Sequence, residues 1–70
     1  MGFTPADLEM VDNHIAQGER HIVRQEELLR WMRARGLPTE AAEDLLEEFK
    51  ATLTQHRDHR TQMLRDAQGS

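Results

Sequence analysis

Seventy residues with no cysteine, 31% charged side chains and a net charge of −4 leave room for one small domain at most. The missing cysteine excludes a disulfide framework and a thiolate metal site, and the mild acidity argues against a general nucleic-acid binder. No apolar run reaches the length of a signal-peptide core or a membrane span, so the composition reads as a soluble, untargeted, cytoplasmic chain built from paired amphipathic helices.

The first element opens on Phe3-Thr4-Pro5-Ala6-Asp7-Leu8. Thr4 is placed to cap a helix, and Pro5 suits its first position, where a missing N–H costs nothing. Asp7, three residues past the cap, completes a box-like arrangement, and Phe3 with Leu8 has the spacing of a hydrophobic staple. From there Leu8, Val11, Ile15, Gly18, Ile22, Gln25, Leu29 and Met32 recur at alternating steps of three and four, a heptad stripe. Gly18 leaves a notch in that stripe, and Gln25 brings an amide into it. Arg30, Arg33 and Arg35 complement the dipole of the last turn. The first helix is predicted over residues 4–35.

A break follows at residues 36–38. Gly36 suits the left-handed position just past a helix end, and Pro38 cannot continue the helix. Thr39 is placed as the next cap, with a strongly acidic first turn after it. The second helix, predicted over residues 39–67, carries its own stripe of Ala42, Leu46, Phe49, Leu53, His56, Arg60, Met63 and Ala67. The reading is all-α: residues 1–70 form a single two-helix antiparallel hairpin. Counting outward from the turn sets Gln25 beside Phe49, Gly18 opposite His56, and Ile15 beside Arg60.

A lone hairpin leaves its inward side chains half covered, too little to offset the chain entropy of ordering. The expectation is therefore a homodimer, two hairpins packed as a four-helix bundle. Its oligomer core would be Leu8, Val11, Ile15, Ile22, Leu29, Met32, Leu46, Phe49, Leu53 and Met63.

Chemistry-bearing patterns are few. There is no phosphate-cradling glycine loop, no HExxH, and no hydroxyl with a readable His–acid partner, so no enzyme and no cofactor are expected. His14, His56 and His59 form a candidate metal site, since imidazoles from facing helices bind zinc, copper or nickel. Against it, Arg60 would repel a cation, and His56 has a plain role in filling the Gly18 notch. Trp31, flanked by Leu28 and Arg35, is a candidate protein-partner site. It is equally placed to cover the turn on Leu37 or to lie at a dimer seam. Arg20 and Arg24 on one helix, with Arg57, Arg60 and Arg65 on the other, raise the alternative of an RNA-binding hairpin dimer, similar only in architecture to those of plasmid copy-number control. Interspersed acids favour an ordinary solvated face instead.

The run His21-Ile22-Val23-Arg24-Gln25-Glu26-Glu27-Leu28-Leu29 and the later Leu45-Leu46 through Phe49, Thr52-Leu53, His56 and His59-Arg60 resemble short uncharacterised helical-hairpin proteins of alphaproteobacteria. The resemblance spans about residues 14 to 65. It implies a bacterial source and brings no known activity. The function expected from the residues is a small interaction or assembly module.

Overall fold

The structure, a computed structural model, describes residues 4–69, and the expected Phe3–Leu8 staple lies outside them in part. Two helices, α1 (Pro5–Ala34) and α2 (Glu40–Gly69), fold back on each other. Helix α2 runs two residues beyond the predicted end, with Gln68 and Gly69 still helical.

The start of α1 follows its local chemistry. The Thr4 hydroxyl accepts from the Asp7 backbone N–H at 3.1 Å, and the Asp7 carboxylate accepts from the Thr4 N–H at 3.0 Å, a complete capping box. The other end closes on glycine. Gly36 has φ of +68°, a conformation that penalises any Cβ. There the Leu37 N–H donates to the Met32 carbonyl at 3.0 Å and the Gly36 N–H to the Arg33 carbonyl at 3.1 Å. Those two bonds are the Schellman pattern, which satisfies the last carbonyls of α1 and turns the chain back. At the start of α2 the Thr39 carbonyl accepts from Glu43 N–H at 2.8 Å. The predicted hydroxyl cap is absent: the Thr39 side chain makes no hydrogen bond to a described residue. Glu40 and Glu43 complement the dipole of that turn instead.

The heptad stripes face each other. Val11, Leu29, Leu46, Leu53 and Met63 are buried to 9% exposure or less, with Leu29 at 2%. A single hairpin therefore covers much of its own seam, more fully than half-covered stripes would allow. Ala67, expected at the end of the stripe, is exposed.

Two pairings depart from simple counting, and Gln25, which lines a groove with Phe49 as counting expects, adds a bond of its own. The Gly18 notch receives Leu53 rather than His56: a Cβ at residue 18 would stand 3.2 Å from Leu53 Cδ1. The Gln25 amide reaches toward the turn and donates to the Ala42 carbonyl at 2.9 Å, which lets a polar side chain stay buried at low cost. Arg60 turns out of the seam to Asp12, at 2.6 Å.

The result is a rod of 54 × 16 × 12 Å, one helix layer thick, with a radius of gyration of 16.2 Å. A compact domain of this length has a radius near ~11 Å. Its accessible surface is 5416 Å², roughly 900 Å² more than the ~4,500 Å² usual for a monomer of this mass.

Candidate functional site

Two grooves run between α1 and α2, and the helical phase of each flank decides what lines them. On one side, flanking positions of α1 carry Asp12, Glu19, Glu26 and Arg33, and those of α2 carry Glu43, Lys50 and Arg57. Arg33 meets Glu43 at 2.9 Å, Arg57 meets Glu19 at 3.9 Å, and Arg60 meets Asp12 at 2.6 Å. All three ion pairs between the helices lie on this face among the described residues. Each is about half exposed, so each contributes tenths of a kcal/mol and mainly fixes the pairing.

The other side carries all four histidines and no ion pair between described residues. Near the turn, Leu28, His21, Arg24 and Phe49 line its groove. Toward the middle come His14, Gln17, Thr52 and His56. At the open end Asp7, Met10, His59 and Met63 line it. The Phe49 ring is half-buried against His21, with centroids 5.2 Å apart. Leu28 at 44% and Leu45 at 39% exposure stand on this side, Leu45 one turn before Phe49. The two grooves thus differ in kind.

The predicted metal trio comes together only in part. His14 and His56 face each other, ring centroids 5.1 Å apart and planes tilted by 45°. His59 does not join them and lies in the Asp7–Met10–Met63 groove. Three residues advance a helix by about 4.5 Å, enough to carry His59 away from His14 toward the open end. Among the described residues no three His, Asp or Glu side chains gather as a ligand cage.

The predicted partner residues are exposed. Trp31 stands at 49% exposure, and Arg35 stacks over it with Cζ 4.1 Å from the ring centroid. That cation–π contact sets a guanidinium against the indole at the turn end. Leu28 lies one turn back and continues the apolar surface into the groove. The ten residues expected as an oligomer core are all buried or half-buried between α1 and α2 of one chain. Of the arginines raised for RNA binding, Arg57 and Arg60 are paired with acids, while Arg20 and Arg24 lie together with Val23 on the outer side of α1, Arg24 also reaching the groove beside Leu28. No helix among the described residues is long and apolar enough to cross a membrane.

Compared with known proteins, the chain matches no family model, no curated protein and no solved structure.

Proposed function

We propose that this chain is a non-enzymatic assembly module, a helical hairpin that pairs with a second copy of itself through the histidine-bearing face. The observation that carries the reading is the surplus surface of the single layer, roughly 900 Å² above a compact monomer's, against the ~800 Å² that each partner gives to a standard interface. Leu28, Leu45 and the half-buried Phe49 lie on the face that has no ion pair among the described residues, while the opposite groove is already lined by paired charges. Face-to-face packing of two such layers gives an antiparallel four-helix bundle, with Trp31 at its edge. The same proposal places the module in a bacterial cytoplasm, on its resemblance to alphaproteobacterial hairpins and its lack of cysteine.

The test is the double variant Leu28→Glu, Leu45→Glu, which puts four like charges into the paired face of a dimer. Both positions are exposed in the hairpin, so far-UV circular dichroism should stay helical. Sedimentation should report one chain for the variant where the parent sediments as two. An unchanged oligomer would remove this face from the contact.

A further inference from the structure

We propose that His14 and His56 are the protein ligands of a site for a borderline divalent cation of the Cu²⁺, Ni²⁺ or Zn²⁺ class. Imidazole nitrogens bind these ions at about 2.0–2.1 Å, and two imidazoles on one tetrahedral ion set their ring centres roughly 5 Å apart. The rings of His14 and His56, from facing helices, stand at 5.1 Å.

The surroundings fit this role. Neither ring is hydrogen-bonded or ion-paired to another described residue, so their nitrogens are free to turn toward an ion. The groove around them is lined by Gln17, Gly18, His21, Phe49 and Thr52, with no Lys or Arg. The cation most able to repel a metal, Arg60, is held by Asp12 on the opposite face. His14 is exposed and His56 half-buried, which leaves the remaining coordination positions to water. The helices that position these rings are anchored close by, where Leu53 fills the Gly18 notch. Both protein ligands come from one chain, and because a second copy packed on this face would cover the open coordination positions, solution mass is read alongside binding.

The test is isothermal titration of the full chain with Cu²⁺ and with Zn²⁺ at pH 7.5. One ion per chain is expected, with Cu²⁺ tighter than Zn²⁺. His14→Gln and His56→Gln should each weaken binding by at least the ~10-fold that loss of even an outer-shell partner costs. His59→Gln should leave it unchanged, and circular dichroism should show all three variants folded. Equal affinity in the parent and in both His14→Gln and His56→Gln would overturn the assignment, as would loss of binding in His59→Gln. The solution mass of the same samples separates this outcome from the state of assembly.

Discussion

The two grooves of this hairpin are made by the same pair of helices, yet they are finished differently. On one, Arg33, Arg57 and Arg60 reach across to Glu43, Glu19 and Asp12. On the other, histidines, Leu28, Leu45 and Phe49 stand with no ion pair bridging the helices among the described residues. The seam between them belongs to both. The contrast teaches that the side on which a flank's charges fall decides which groove this layer closes with its own side chains. Charged pairs hold the helices in register and remain well solvated, whereas apolar and imidazole side chains on the remaining side gain most by being covered.

The largest expected effect comes from breaking the seam that both faces share. Leu29 is the most buried side chain, and Leu29→Ala should cost about 2–5 kcal/mol through lost transfer energy and the cavity left behind. Thermal melting by circular dichroism would measure it, and a change of only a few tenths would mean that the seam is not the main source of stability. Next is the capping box. Thr4→Ala removes the acceptor for the Asp7 N–H and should cost about 1 kcal/mol, read in the same melts. The smallest effect belongs to the charged face. Asp12→Asn takes the carboxylate from the exposed Arg60 pair and should shift stability by only a few tenths of a kcal/mol, fading with salt, with solution mass unchanged. If this variant dissociated the protein while Leu28→Glu, Leu45→Glu did not, the roles assigned to the two faces would be reversed.

Much of the fold was legible in the sequence because its signals are local. Thr4, Pro5 and Asp7 mark one helix start, and Gly36 with Pro38 marks the turn. The heptad spacing picks out the inward positions, and every member of both stripes except Ala67 is buried or half-buried. Register was harder. Spacing fixes the phase of each helix about its own axis, but not the axial offset between two helices, which depends on how particular knobs fill particular notches. Leu53 enters the Gly18 notch, so His56 is left to meet His14, and the Gln25 amide, beside Phe49, reaches on to the Ala42 carbonyl. The removal of Arg60 from the seam was also hidden, since it depends on a long side chain choosing Asp12 across the hairpin.

The candidate site was legible as residues but not as a constellation. Four histidines could be read from the chain, and the separation of His59 from His14 and His56 could not. Nor does a stripe of inward residues reveal which flank will be closed by ion pairs. That division follows from the pairing of flanking positions once the helices are antiparallel.

The most direct measurement is the solution mass of the unmodified chain by light scattering over a wide range of concentration. Self-association through the histidine face predicts twice the 8.2 kDa of one chain, falling toward one chain only on dilution. A mass of one chain at every concentration, with the helices fully formed, would contradict it.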